Sequence, residues 1–292
     1  MGNKKRDIDE TIRIFAPPFV YYLISLFVQG IAFVVLFIKE ARKVNAEYSA
    51  FEASNSFMEK LLNNIESNSY IIVFVTALIG MIFFGRIFYK DCKNAKDFDI
   101  FTWRNKLKIN DVVIIIVFAM CIGTGISRFV MLLPIDNIIG SYADVSNNLI
   151  KGNLIFQIIS IGIFVPITEE IVYRGLLYKR LKMVTNVKIS SIITSLMFGF
   201  FHFNLVQGIY TFLLSFVLIY VMDRYKSILP SIIIHMVVNM TALFGNYLGV
   251  TDKINESIIA YILIMSVELV IAGFLFIVFI VKDEYEDIKK DF

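Results

Sequence analysis

Five side chains that can move protons or hold charge sit in apolar surroundings: Glu169, Glu170, His202, His235 and Asn239. Glu169 and Glu170 belong to the stretch Val165-Pro-Ile-Thr-Glu-Glu-Ile-Val-Tyr-Arg-Gly175, which also carries Arg174. On a helix, residues four apart share a face, so Glu170 meets Arg174, while Glu169 falls on a neighbouring strip with Tyr173. One carboxylate therefore has a built-in counter-ion and the other has none. The chain has 2 histidines, and both lie in apolar runs. Phe198 precedes His202 by four residues and His235 precedes Asn239 by four, so each pair shares a helix face.

An ionisable group at the centre of a membrane helix costs roughly 2.5–3.5 kcal/mol on insertion scales, which makes each one a functional candidate. A carboxylate without a counter-ion in a low-dielectric site can take and return a proton. We therefore expect Glu169 and His202 to activate a water, and His235 and Asn239 to donate hydrogen bonds to the oxyanion of a peptide bond under attack. No serine or cysteine nucleophile is required. Two histidines and a glutamate are also a ligand set of catalytic zinc sites, so zinc on His202, His235 and Glu169 is the second option, although the His-Glu-x-x-His helix is missing. Two bland readings stand beside these: buried ion pairs that merely staple helices, and a proton-coupled transporter, which the lack of an internal repeat disfavours.

The same residues carry a family resemblance. Glu-Glu-x-x-x-Arg runs from Glu169 to Arg174, Phe-x-x-x-His from Phe198 to His202 and His-x-x-x-Asn from His235 to Asn239. In order and spacing the three resemble the motifs of the CAAX-protease and bacteriocin-processing (CPBP, or Abi) family, which includes type II CAAX prenyl endopeptidases. The resemblance covers about residues 150–245, and it implies an α-helical membrane core with a cavity opening to the cytoplasm. It implies catalytic roles for Glu169, His202, His235 and Asn239, with Glu170 and Arg174 in supporting positions. No cofactor is the first expectation and zinc the second. The implied substrate is a peptide or small membrane protein, such as a bacteriocin or pheromone precursor, in a bacterial cell membrane. Non-proteolytic immunity or scaffold proteins of the same family are the alternative.

The elements that must position these residues are helices crossing a bilayer. The composition is 58% hydrophobic and 18% charged, with a mean hydropathy of +0.72, against roughly 45–50% and ~25% in soluble domains. We read one membrane domain over 1–292, all-α and polytopic, with the motif-bearing core at 150–245. Apolar runs predict about eight transmembrane helices: 15–38, 70–89, 111–134, 154–177, 189–205, 207–223, 228–248 and 257–281. The fifth and sixth are short and nearly fused at Asn204 to Gln207. Counting from its cytoplasmic end puts His202 about 20 Å along span five, deeper than Glu169, unless that helix starts deep or tilts.

Lys and Arg divide 20 to one side and 6 to the other when Arg86, at the end of the second span, is counted with the basic loop that follows it, and Arg128 and Arg174 inside spans complete the 28. Positive charge is retained in the cytoplasm, so both termini are expected there. Nothing resembles a nucleic-acid-binding face, and membrane lipids are the expected surroundings. Residues 39–69 could hold a short helix or be disordered, and the basic, aromatic segment 90–110 suits either a surface helix or a solvated loop. Arg128 is expected to snorkel to the headgroups, Gln29 and Gln157 to bond between helices, and Glu268 to face the cavity or a neighbour. Cys92 and Cys121 are expected to be bystanders.

Overall fold

The computed structural model describes residues 2–43, 50–94, 109–133, 153–250 and 257–281, and every regular element in them is helical. In chain order these are α1 (Gly2–Ala41), α2 (Ala50–Ser67), α3 (Ser69–Asn94), α4 (Ile109–Met131), α5 (Leu154–Val184), α6 (Val187–Phe200), α7 (Leu205–Tyr225), α8 (Leu229–Tyr247) and α9 (Ile258–Leu275). A π-helical turn, Phe276–Val281, extends α9. Side chains set the helix starts: Asn153, Asn186 and Asn204 accept from the backbone N–H of Ile155, Ile189 and Gln207 at 2.9–3.0 Å. Pro230 opens α8, and Lys226 ends α7 in the left-handed conformation at φ 50°.

Seven of these helices are long and apolar enough to cross a membrane, which makes the protein an all-α polytopic membrane protein. The expected fifth span is the exception. α6 has 14 residues, about 21 Å at 1.5 Å per residue, short of the ~30 Å hydrocarbon core. It ends in a turn at His202 and Phe203, the latter at φ 52°, before α7 begins. Phe200 and Phe203 are exposed in that turn, which suits lipid and not water. The turn remains satisfied inside the membrane because His202 N–H and Phe203 N–H bond to the carbonyls of Gly199 and Phe200 at 3.2 Å.

Close packing of small residues fixes the α6–α7 hairpin. A Cβ on Gly199 would lie 2.6 Å from the carbonyl oxygen of Gly208, so only glycine permits the two backbones to approach so near. A second contact of this kind brings α3 onto α5, where Thr168 Oγ1 donates to the carbonyl of Ala77 at 2.9 Å beside Gly80. Further along the same two helices Phe88 covers Gly175, and Arg180 pairs with Asp91 at 2.7 Å. α3 and α5 are thus parallel and in register over the length of the bundle.

Two large apolar clusters and a small third one, Ile126, Val130 and Val206, fill the interior. One holds α1, α3, α5 and α7 together through Ile14, Phe84, Phe88, Leu177 and Met222, and the other joins α4, α7, α8 and α9. At one end lies a belt of ion pairs: Arg13 and Arg180 on Asp91 at 3.0 and 2.7 Å, and Lys182 on Asp223 at 2.7 Å. This basic end is the one that charge counting assigns to the cytoplasm.

Several sequence expectations change. Residues 50–67 form an amphipathic helix, docked through the buried Leu61 and a hydrogen bond from Asn64 Nδ2 to Glu40 at 2.8 Å. Arg128 does not snorkel; it forms an ion pair with Glu268 across α4 and α9, and Tyr261 O–H donates to the Arg128 carbonyl at 2.9 Å. A partner inside the protein relieves both charges more completely than reaching to the headgroups would. Gln29 bonds within its own helix, to Ser25 Oγ at 2.8 Å. Most of the surface-helix candidate at 90–110, from residue 95 to 108, lies outside the described residues, as does the tail from 282.

Candidate active site

α5 carries the two acidic residues midway along its length, and its geometry there is irregular. Ile158–Phe164 and Glu170–Tyr178 are π-helical, with Val165–Glu169 α-helical between them. Pro166 at the start of the central α-helical piece lacks a backbone N–H, which suits a break in the regular ladder. Such wide turns recur at functional positions because they re-aim side chains within a continuous helix.

Glu170 and Arg174 are fully buried and paired at 2.9 Å, as their spacing predicts. The Arg174 guanidinium also lies over the Phe198 ring, 4.3 Å from its centroid. The same oxygen of Glu170 that holds Arg174 accepts from His235 Nδ1 at 2.9 Å. Because a carboxylate facing a guanidinium can only accept, Nδ1 of His235 carries a proton and Nε2 is the ring's other face. That Nε2 lies 3.6 Å from Glu169 Oε2. Arg174, Glu170, His235 and Glu169 thus form one line of charge drawn from two helices, α5 and α8.

His202 joins from the turn after α6. Its Nδ1 lies 2.6 Å from the Phe198 carbonyl, which can only accept, so in the neutral ring Nε2 is left with its lone pair. Thr211 Oγ1 stands 3.4 Å from the same Nδ1. Phe198 separates the two imidazoles, with ring centroids 4.9 Å from His202 and 5.8 Å from His235. The depth mismatch expected for His202 is resolved by the short α6 and its turn, which bring it into the same cavity wall as Glu169. Asn239 sits apart: its Nδ2 donates to the Ile161 carbonyl at 3.0 Å, tying α8 to a π-helical turn of α5.

The cavity beside Glu169 and His202 has a volume of about 700 Å³. Tyr21, Tyr22, Ser25 and Gln29 of α1 and Thr76 of α3 share its wall, and they are the site residues that motif reading missed. Their one signal in the sequence is the Ser25 and Gln29 pair at i, i+4 on an otherwise apolar helix. From Glu169 and His202 the cavity extends along α1 and α3 toward the end of the bundle opposite the ion-pair belt. Between the site and that belt the bundle is filled by the apolar cluster of Phe84, Phe88 and Leu177.

Among the described residues no three His, Cys, Asp or Glu side chains are arranged to hold a metal ion. His235 has Nδ1 committed to Glu170 and Nε2 turned to Glu169 at 3.6 Å.

Fold and site together define a helical membrane protein with a buried line of carboxylates and histidines beside a cavity. Residues 151–241 match the family model described as type II CAAX prenyl endopeptidase Rce1-like, and this match supports membership of the CAAX-protease (CPBP) family. No curated protein and no solved structure matches the chain.

Proposed function

We propose that the protein is an intramembrane endopeptidase that hydrolyses a peptide bond of a membrane-associated peptide or small protein with water activated by Glu169. The observation that carries this reading is the Glu169 carboxylate, set in the cavity wall with His202 and 3.6 Å from His235 Nε2, while the other carboxylate is consumed by Arg174. A water between Glu169 and His202 gives its proton to Glu169 as its oxygen bonds to the carbonyl carbon. Protonated His235 donates from Nε2 to the developing oxyanion, and Glu170 behind it holds the ring and balances its charge. Collapse breaks the C–N bond, and Glu169 passes the proton to the leaving nitrogen. With His235 protonated, the two cations and two carboxylates of the line cancel, which a low-dielectric site favours.

Asn239 acts in this scheme by positioning, since its bond to Ile161 holds α8 against α5. No step of this scheme runs through a metal. The substrate class that the family resemblance supports is a bacteriocin or pheromone precursor in a bacterial cell membrane. Substitution tests the reading: Glu169→Gln and His202→Ala should each lower peptide cleavage by roughly 10²–10⁴-fold in a protein that still inserts and folds. Cleavage retained in both variants would remove Glu169 and His202 from the chemistry, and no cleavage by the wild type on any membrane peptide would favour a binding role.

A further inference from the structure

A second cavity, of about 580 Å³, opens between α1 and α3 at the ion-pair belt. Its two walls follow one pattern. On α1, Arg13, Ala16, Pro17 and Val20 recur at i, i+3, i+4 and i+7, and on α3 Phe83, Ile87 and Lys90 recur at i, i+4 and i+7, so each set shares a helix face. The two helices run antiparallel here, since Arg13 meets Asp91 while Tyr21 packs on Phe84. Both faces therefore present a cation at the belt and apolar surface away from it, over about 10 Å at 1.5 Å per residue. Phe83 keeps 47% of its surface exposed in that wall, which leaves it open to cover by a further apolar group.

The charges of the cavity do not balance. Arg13, Lys90 and Arg180 line it with one carboxylate, Asp91. Asp9 and Glu10, a turn before Arg13, are exposed on α1 and lie outside its wall. Arg180 is the committed cation: its Nε and Nη2 donate to Asp91 Oδ2 at 2.8 and 2.7 Å, and its Nη1 donates to the Arg13 carbonyl. That carbonyl is free to accept because Pro17, four residues on, has no N–H to give it. Arg13 places Nη2 on Asp91 at 3.0 Å, and its side chain is otherwise 63% exposed. Lys90 is exposed and pairs with no carboxylate among the described residues.

We propose that this cavity binds one anionic phospholipid, with its phosphate held by Arg13 and Lys90 and an acyl chain laid along Val20, Ile87 and Phe83. A guanidinium and an ammonium offer the fork of donors and the point charge that phosphate oxygens accept. The cations stand at headgroup depth, because the membrane-long part of α1 begins at Ile8 and that of α3 ends at Lys93. A free phosphate ion fills the charged end alone and leaves the apolar walls bare, whereas a lipid covers both. Basic pockets between membrane helices take acidic headgroups for this reason, and a zwitterionic headgroup gains less because it brings a cation of its own to the two already there. The site is independent of the chemistry at Glu169 and of which face of the membrane the basic end occupies.

Native mass spectrometry of the detergent-purified protein tests the site, by titration with phosphatidylglycerol, with phosphatidylcholine of the same chains and with glycerol phosphate. The expected result is one phosphatidylglycerol retained per protein, about fivefold or more tighter than phosphatidylcholine and undisturbed by glycerol phosphate at equal concentration. A cation near an anionic lipid is worth about fivefold in affinity, so Lys90→Gln should weaken phosphatidylglycerol by about fivefold and Arg13→Gln with Lys90→Gln by about 25-fold. Lys188→Gln removes an exposed lysine outside the cavity and should change nothing. Lys90 has no described partner to lose, so its variant carries the test without disturbing the fold, and helical circular dichroism checks the double variant. An equal loss in Lys188→Gln would reduce the effect to overall charge, equal binding of phosphatidylcholine would remove the headgroup from recognition, and displacement by glycerol phosphate would make this a site for soluble anions. Each of these outcomes overturns the proposal, as does a Lys90→Gln protein that holds phosphatidylglycerol like the wild type.

Discussion

Glu170→Gln is the substitution that separates the two adjacent carboxylates most sharply. Glu170 Oε1 accepts from both Arg174 and His235 at 2.9 Å, and neither Glu170 nor Arg174 has any exposed surface. Glutamine keeps an acceptor oxygen of the same size but removes the charge, leaving the Arg174 guanidinium buried without its counter-ion. Breaking a buried pair from one side costs about 3–5 kcal/mol, equivalent to a drop of roughly 10²- to 10³-fold or more in the folded-to-unfolded ratio at 1.4 kcal/mol per decade. Glu169 has a side chain 15% exposed and no partner closer than 3.6 Å among its ion pairs, so Glu169→Gln should change stability by less than about 1 kcal/mol. Reversible unfolding in mixed micelles, followed by helical circular dichroism as the denaturing detergent fraction rises, measures both. Adding Arg174→Met to Glu170→Gln should restore much of the loss, because it removes the guanidinium that the single change leaves buried without a counter-ion. A Glu170→Gln protein as stable as Glu169→Gln would show that the pair is not the buried, mutually dependent unit described above.

Three further outcomes follow from the contacts of other residues. Arg128→Leu or Glu268→Leu alone should destabilise by about 2–4 kcal/mol while the double variant recovers, since each single change strands one charge in the membrane; the same unfolding titration, run as a double-mutant cycle, reads it. Gly199→Ala places a Cβ 2.6 Å from the Gly208 carbonyl oxygen and should cost about 1–3 kcal/mol with reduced cleavage, because His202 follows three residues later, whereas Gly245→Ala meets nothing within 4 Å and should be tolerated. Prolonged dialysis against a chelator should leave cleavage unchanged; activity lost on chelation and restored by zinc would refute water activation by Glu169 without a metal.

How much of this was readable from the chain depends on the range of the interaction. The Glu170 and Arg174 pair was legible because both partners sit on one helix, four apart, and the structure finds them bonded. The Arg128 and Glu268 pair was not, because its partners are 140 residues apart on different helices and periodicity carries no information on which faces meet. His235 was legible as a candidate but its contact with Glu170 was not, since 65 residues and a helix crossing separate them. The apolar runs located the helices, yet a mostly apolar run of 17 residues cannot by itself say whether the chain crosses the bilayer or turns inside it. The 14-residue length of α6 and the turn at His202 and Phe203 bear on that point, and the Gly199 and Gly208 contact that packs α6 on α7 is a tertiary fact.

The same distinction bears on specificity. The chemistry proposed for this site is written in short motifs on α5, α8 and the turn after α6, where residues have partners at fixed offsets, and so it leaves a pattern that spacing reveals. The cavity wall that α1 and α3 supply lies outside residues 151–241, and if it seats the substrate it does so through side chains such as Tyr22, Ser25 and Ser69, which need only be neutral and face the cavity. Many sequences satisfy that requirement, and none of them forms a motif. Exchanging these cavity residues of α1 should therefore alter which segments are cleaved while the line from Arg174 to Glu169 stays intact. A change at Ser25 that left peptide preference untouched but lowered the rate on every substrate alike would place α1 with the chemistry instead.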